Sequence, residues 1–355
     1  MGGGVGAVSA GAAAAARLPT PPFTERHEEL RAEIRRFVAE ELRPHVPEWE
    51  REGWFPNAVF ARMGELGLLG LKYPREYGGR GGDHLDDAVL SEELSRCGSG
   101  GVSAGIGAHV SIATPPVARF GTGGQKERFL APAIRGERIA ALGITEPGAG
   151  SDVAGLRTFA RRVDGGYVVN GSKTFITNGV RADFLVCAVK TTEEGGHSGI
   201  SFLILEREMP GYEVVSKLEK MGWRSSDTAE LSFTDVEVPA ENLLGEENRG
   251  FRLIMENFAW ERLLMSLGAV GAMRRLLGVA VDYAGEREAF GRPIGKFQAI
   301  RHKIAEIGVK AEVGRALTYH ALRRWLAGED VIADVTKAKL YTQRACVEVA
   351  DECVQ

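Results

Sequence analysis

The stretch RTFARRVDGGYVVNGSKTFITNG, residues 157–179, decides the fold. It strings together short runs of β-branched and aromatic residues, punctuated by Asp164-Gly165-Gly166 and by Asn170-Gly171. Such pairs signal hairpins, because both central positions of the tight turn need positive φ. The runs ADFLVCAVKT, GISFLILE, YEVVSKLE and AELSFTDVEV continue the pattern, which ends at Pro239. About seven strands are expected, packed as a small barrel or sandwich.

Outward from this centre the pattern is helical on both sides. Residues 24–136 open with TERHEELRAEIRRFVAEEL, in which Thr24 is a candidate N-cap and Leu30, Ile34, Phe37 and Val38 fall at helical spacing. Pro44 and Pro47 are expected to stop that helix. PNAVFARMGELGLLGL and DHLDDAVLSEELSRC read as further helices, with YPREYGGRGG as a loop between them. After Asn248 three long amphipathic helices are expected over 250–284, 296–326 and 330–355, and such helices form a bundle. The expected fold is therefore α+β: an N-terminal helical domain (21–140), a central β domain (141–243) and a C-terminal helical bundle (244–355). Residues 1–20, rich in Gly and Ala, are expected to be a disordered tail. The sequence ends in mid-pattern at ADECVQ, so the bundle is expected to lack its last helix, leaving an apolar stripe uncovered.

Composition narrows the function. The chain is 44% hydrophobic and 26% charged, the balance of a globular protein with a sizeable core. A net charge of -4 and the lack of a basic run argue against nucleic acid as a partner. No unbroken apolar run approaches about 18 residues, which argues against a membrane span. Four cysteines without CxxC spacing suit a reducing compartment, and a cytoplasmic (bacterial) or mitochondrial-matrix location is expected. The seven His lack ligand spacing, so no metal site is expected. GxGxxG and GxxxxGK[ST] are absent. GVSAG, at 101–105, matches GxSxG, but no strand precedes it as a nucleophile elbow requires; small-residue helix packing is the plainer reading.

GITEPGAGSDVAG, at 143–155, lies where helix gives way to strand. Bare Gly148 and Gly150 would let a flat ligand approach, and the Thr145 and Ser151 hydroxyls could bond its heteroatoms. A plain turn-rich connection fits the same residues. In NGSKTFITNG, alternation puts Phe175 and Thr177 on one strand face and Thr174 and Ile176 on the other. An aromatic beside a hydroxyl suits stacking on a tricyclic ring, and equally a half-buried strand.

With KMGWRSSDTAELSFTDVEVPAENLLG and REAFGRPIGKFQ, these segments resemble the acyl-CoA dehydrogenase family, in order and in spacing, over residues 24–355. The resemblance implies FAD held between the β domain and the bundle, a homotetramer built as a dimer of dimers, an acyl-CoA substrate and an electron-transfer flavoprotein as partner. It implies that Leu142, Ile144 and Thr145 line the flavin. Gly150 and Ser151 would lie by the FAD phosphates, with Ser151 also by the substrate's pantetheine arm. Phe175, Ile176 and Thr177 would cover the other flavin face. Arg287, Phe297 and Gln298 resemble residues that hold the FAD of the neighbouring subunit. Gln355 resembles the residue opening a glycine-rich FAD contact. Dehydrogenation of a carrier-protein-tethered acyl or aminoacyl group, a flavin oxidase or monooxygenase, and a non-catalytic flavoprotein are alternatives within this fold.

The chemistry asks for one more group. Removing a weakly acidic proton next to a thioester carbonyl requires a carboxylate whose basicity is raised by a dry pocket. In FAWERLLMSLGAVGAMRRLLGVAV, residues 258–281, Glu261 is the sole acid. Helical stepping puts it with Ile254, Leu264, Met265, Gly268 and Ala272, where Gly268 would leave room for a chain. A surface or salt-bridged Glu is the bland alternative. Members resembling the isovaleryl- and long-chain-CoA types carry the base on this helix in a Glu-Arg pair, which WERLL matches. The resemblance thus implies Glu261 as the base and Arg262 near the substrate.

Overall fold

The Asp164-Gly165 turn forms, with positive φ at Gly165 but not at Asp164. In the computed structural model, which describes residues 22–192 and 196–355 apart from the side chain of Glu256, Gly165 has φ 80° between β2 (Phe159–Val163) and β3 (Gly166–Thr177). The expected tail at 1–20 lies outside the described residues. Asn170-Gly171 is not a turn. It lies inside β3, where the pairing register shifts, and Gly171 takes φ 148°. A Cβ there would meet Thr158 at 2.6–2.8 Å. Asn170 instead braces the bulge: its Nδ2 donates to Asp235 Oδ1 at 3.0 Å, and its Oδ1 accepts from the Asp235 backbone at 2.9 Å. The dipeptide meets the same need for positive φ through a bulge.

The remaining strands are β1 (Ala140–Gly143), β4 (Phe184–Lys190), β5 (Ile200–Glu206), β6 (Tyr212–Lys217), β7 (Thr228–Pro239) and β8 (Leu243–Leu244). They form one eight-stranded sheet of order β6-β7-β3-β2-β4-β5-β8, with β1 parallel on β4. β1 and β2 share the same partner strand, β4, so the chain between them, 144–158, is an excursion from the sheet. FLVCAV and ISFLIL are apolar except for Ser201 because both their faces are covered. Leu185, Cys187 and Val189 face an inner core with Tyr167, Leu231 and Phe233. Phe184, Val186 and Ala188 join the helical core.

The N-terminal helices are α1 (Glu25–Phe37), α2 (Val46–Glu52), α3 (Ala58–Glu65), α4 (His84–Leu94), α5 (Gly100–Gly107), α6 (Thr114–Phe120), and the short α7 (Gly123–Gln125) and α8 (Ala131–Ile134). Thr24 caps α1, and the His27 ring accepts from the Thr24 backbone at 3.1 Å. Pro44 and Pro47 do not stop the helical path. Each sits in the first turn of a new helical segment, where its missing N–H costs nothing. GVSAG lies within α5, and Ser103 Oγ donates to Leu94 O at 3.0 Å. A Cβ on Gly105 would strike the Phe55 ring at 2.7 Å, so the motif serves close packing.

α9 (Gly250–Glu286), α10 (Gln298–Leu326) and α11 (Ile332–Val354) form the C-terminal layer, with the small β9 (Glu288–Ala289) and β10 (Arg292–Pro293) between α9 and α10. α9 is long and apolar enough to cross a membrane, because its scattered charges interrupt runs without lowering the average much. Here it packs against α4, α10 and α11. Gly271 allows the α4 crossing: a Cβ there would sit 2.1 Å from Glu92 O. Asp86, Asp87, Glu92 and Glu93 of α4 are all buried, although acids usually mark a solvent face. Each is paired; Glu92 takes Arg31 at 2.8 Å and Tyr319 Oη at 3.0 Å. Val309 on α10 and Ile332, Leu340 and Val347 on α11 are more than half exposed.

Candidate active site

The excursion 144–158 is held in shape by a buried ion pair that sequence reading missed. Lys173 Nζ of β3 lies 2.7 Å from Glu146 Oε1 and 3.1 Å from Ile144 O, and its side chain is fully buried. The Glu146 carboxylate also accepts from the backbone of Arg157 at 2.5 Å and Thr158 at 3.0 Å. Burial pushes the Glu146 carboxyl up, but Lys173 and these donors outweigh it and hold it below its ordinary value. Glu146 and Ala149 exchange backbone hydrogen bonds across Pro147-Gly148. Thr174 N donates to Thr145 O at 2.9 Å, which lays the loop beside the end of β3.

That contact brings together most of the residues singled out in the loop and strand. Ile176 is buried in the inner core. Leu142 and Ile144 are half-buried against the helical core. Thr145 and Thr177 are half-buried, Gly150 and Ser151 exposed. Phe175 is 67% exposed and has φ 59°, in a second register shift of β3 between Lys173 and Ile176. Positive φ is an outlier for an aromatic, costing about 1–3 kcal/mol, and such strain persists where the surroundings enforce it, often at ligand sites.

Glu261 lies on α9, half-buried, with Ile254 and Leu264 buried on its face. Burial raises its pKa to about 7; a hydrogen bond from Asn257 and the charges of Arg262 and Lys72 oppose the rise without cancelling it. Asn257 Nδ2 donates to Glu261 Oε1 at 2.5 Å. Arg262 is half-buried, with its guanidinium 5.0 Å from the Phe258 ring centre. The expectation for the rest of the face needs correcting. Met265 is 42% exposed, and a Cβ on Gly268 would lie 2.9 Å from Ser95 Oγ. Gly268 therefore makes room for α4, not for a ligand chain.

A cleft of about 500 Å³ has walls that include Lys72, His84, Pro116, Phe120, Asn257, Trp260 and Trp325; Glu261 does not line it, but its hydrogen-bond partner Asn257 does. The rings of His84, Trp260 and Trp325 lie within 4.8 Å of one another, centre to centre. Asp87 anchors the arrangement, accepting from Lys72 at 2.6 Å, Trp260 Nε1 at 3.0 Å and Ser111 at 3.0 Å. Sequence reading placed Asp87 on an ordinary helix; only the packing of α4 on α9 reveals its role.

Arg287, Phe297, Gln298 and Gln355 are not joined to the loop or to Glu261 by any hydrogen bond among the described residues. Arg287 and Gln298 are exposed, and Phe290, which sequence reading passed over, is 95% exposed beside Phe297. One group of candidate metal ligands occurs among the described residues, His27, Asp83 and Asp86. Arg26 already donates to Asp86 at 2.7 Å and fills that place with positive charge.

The donor set of the loop fits a flat anionic cofactor. Thr145, Ser151 and Thr177 make no side-chain hydrogen bond to the described residues. Open space lies where a Gly148 Cβ would be, and Gly150 meets only a Thr145 methyl at 4.0 Å.

Comparisons with known proteins agree with this layout. Three family models match in order: the acyl-CoA dehydrogenase N-terminal domain over 24–137, middle domain over 141–236 and C-terminal domain over 248–355. The mitochondrial isovaleryl-CoA dehydrogenase of Oryza sativa is 38% identical over 335 residues, covering 94% of this chain and 82% of its own. The mitochondrial long-chain specific acyl-CoA dehydrogenase of Mus musculus is 38% identical over 363 residues, covering 96% and 82%. Among solved structures, the acyl-CoA dehydrogenase of Geobacillus kaustophilus superposes with a TM-score of 0.90 at 39% identity, covering 94% of this chain and 88% of that one. PigA, solved as an FAD complex, superposes at 0.89 with 28% identity, covering 95% and 88%. With three family models spanning most of its length, the chain belongs to the acyl-CoA dehydrogenase family, whose members are FAD flavoproteins.

Proposed function

We propose that this protein dehydrogenates an acyl-CoA thioester between its α and β carbons, giving the trans-2-enoyl-CoA, with Glu261 as the base. The observation that carries the reading is a lone carboxylate on an apolar helix face, its pKa raised to about 7 by burial. A base is most effective when its pKa lies near the working pH, and this one does. Relatives named for isovaleryl-CoA and long-chain acyl-CoA share more than a third of the sequence, which supports a thioester substrate without fixing its length.

In this reading each residue has a stated task. Thr145 and Thr177 offer hydroxyls to the polar edge of FAD, and Phe175 offers an aromatic face to its ring. Leu142 and Ile144 give apolar walls, whereas the Ile176 side chain turns into the inner core and does not cover the flavin as expected. Gly150 and Ser151 lie by the phosphates, and Ser151 and Arg262 orient the substrate. FAD, when bound, accepts the hydride leaving the β carbon. Glu261 takes the α proton onto its carboxylate, and its apolar surroundings keep water from levelling its basicity. Arg287, Phe297 and Gln298 reach the FAD of a neighbouring subunit in a homotetramer, with Gln355 contributing a further FAD contact. Electrons leave to an electron-transfer flavoprotein.

Glu261→Gln is expected to retain FAD and acyl-CoA binding while slowing turnover about 100-fold or more, the scale of a lost general base. Turnover near that of the native protein, with flavin content unchanged, would assign the base elsewhere.

A further inference from the structure

We infer that Asn257 is a positioning residue for the reaction, holding the Glu261 carboxylate ionised and aimed through its side-chain amide. The inference rests on the reading of Glu261 as the base and adds a second residue to it.

Asn257 and Glu261 are one helical turn apart on α9, the spacing at which side chains meet. The amide donates to Oε1 at 2.5 Å. Among the described residues this is the sole hydrogen bond to that carboxylate. The nearby cations are committed elsewhere: Lys72 donates to Asp87 at 2.6 Å, and Arg262 lies over the Phe258 ring. They contribute charge at a distance but do not fix the direction of the oxygen atoms. Asn is a poor choice for a helix interior on propensity, and Leu would suit a cleft wall shared with Leu253 and Trp260. What an amide does to the anion accounts for its presence. A donor to a charged acceptor favours the ionised form, so it opposes the rise that burial imposes. It also restricts the carboxylate's rotation, and a base must present its oxygen in line with the proton it removes.

The bland alternative is a polar wall residue wetted by the cleft. That role would leave the ionisation of Glu261 unmoved when the amide is removed, so the pH profile separates the two. Among the described residues, the charges bearing on Glu261 are Arg262 on α9 and Lys72 on the loop before α4, while Asp83 and His84 at the start of α4 and Arg119 at the end of α6 line the cleft, and Asp87 pairs with Lys72. All are retained in the variants. Burial and Lys72 hold His84 below its ordinary value.

The test measures kcat and kcat/KM against pH for the FAD-loaded native enzyme, Asn257→Leu, Asn257→Asp and a Glu261→Gln control, with an acyl-CoA the native enzyme turns over. The acid limb of kcat/KM is expected to move up by about one pH unit in Asn257→Leu, a tenfold change in the ionisation equilibrium. Asn257→Asp, nearly isosteric, should move it at least as far, because a second carboxylate replaces the donor; it carries the test if the Leu variant does not fold. Acid limbs that stay in place in a folded variant would overturn the inference, whatever happens to kcat. An inactive Glu261→Gln beside unmoved limbs removes only the role of Asn257. An active Glu261→Gln removes the base and Asn257 together.

Discussion

At the scale of single residues, the deciding feature is a carboxyl group whose burial is costly. The folded-state pKa of Glu261, about 7, lies above the ordinary value of 4.5. The folded state therefore binds more protons than the unfolded chain between those values. This group's contribution to stability falls as pH rises through that window, and the cost is complete above about pH 7. Glu261→Gln removes the charge, so it should melt a few degrees above the native protein near pH 8 and close to it near pH 5, read by calorimetry with matched FAD. An equal gain at both pH values would mean that burial does not set the ionisation. Glu261 was legible in the sequence because isolation of an acid on an apolar face is a pattern. Asn257 was not, because an Asn in a helix has many solvent-facing uses and only the rotamer shows which one applies. Gly268 was misread for a similar reason: a bare Cα can admit a ligand or a neighbouring helix, and here α4 occupies the space.

At the scale of elements, the loop 144–158 and strand β3 act as one piece. Thr145, Phe175 and Thr177 can present their groups because Glu146 and Lys173 are locked beneath them. Removing one partner of a buried pair leaves an uncompensated charge, a loss of about 3–5 kcal/mol, whereas replacing both by apolar groups costs far less. Lys173→Met should lower the urea midpoint and weaken FAD together, and Glu146→Leu with Lys173→Met should recover much of the stability. A double variant no more stable than the single one would show that the pair is not the lock. Phe175 is open and Thr174 and Ile176 are buried as expected, but the register shift between Lys173 and Ile176 interrupts the alternation, and Lys173 and Thr174 are buried in succession. The Asn-Gly pair misled on position, since the same dihedral need is met by a bulge as by a hairpin. The lock was hidden because its partners stand 27 residues apart, and sequence periodicity reports only local neighbours.

At the scale of the whole molecule, three layers share their cores. α4 belongs in sequence to the N-terminal helices, yet its buried acids pair with residues of α1, α9 and α10. The order of layers was legible, because the hydrophobic period changes from helical to alternating and back. The pairing of those acids was not, since it depends on how the layers dock. The exposed hairpin after α9 belongs to this scale too. Arg287 is exposed and Phe290 stands almost wholly in solvent. Losing a charge-assisted contact costs about 1.5–3 kcal/mol. Arg287→Ala should therefore weaken FAD retention roughly tenfold or more and loosen subunit association at the same time, followed by flavin absorbance and sedimentation. FAD loss with association unaffected by cofactor would confine the contact to one chain. The central claim joins all three scales: burial on the apolar face of α9 raises the basicity of Glu261, which the proposed function uses for proton removal beside a thioester. Its most direct test is the second-order rate of anaerobic reduction of bound FAD by an acyl-CoA, followed across pH in the native protein and in Glu261→Gln. The account predicts a rate that rises with pH through an apparent pKa near 7 in the native protein and is about 100-fold lower in the variant. Reduction in the variant at the native rate, or a native profile flat from pH 5 to pH 9, would contradict it.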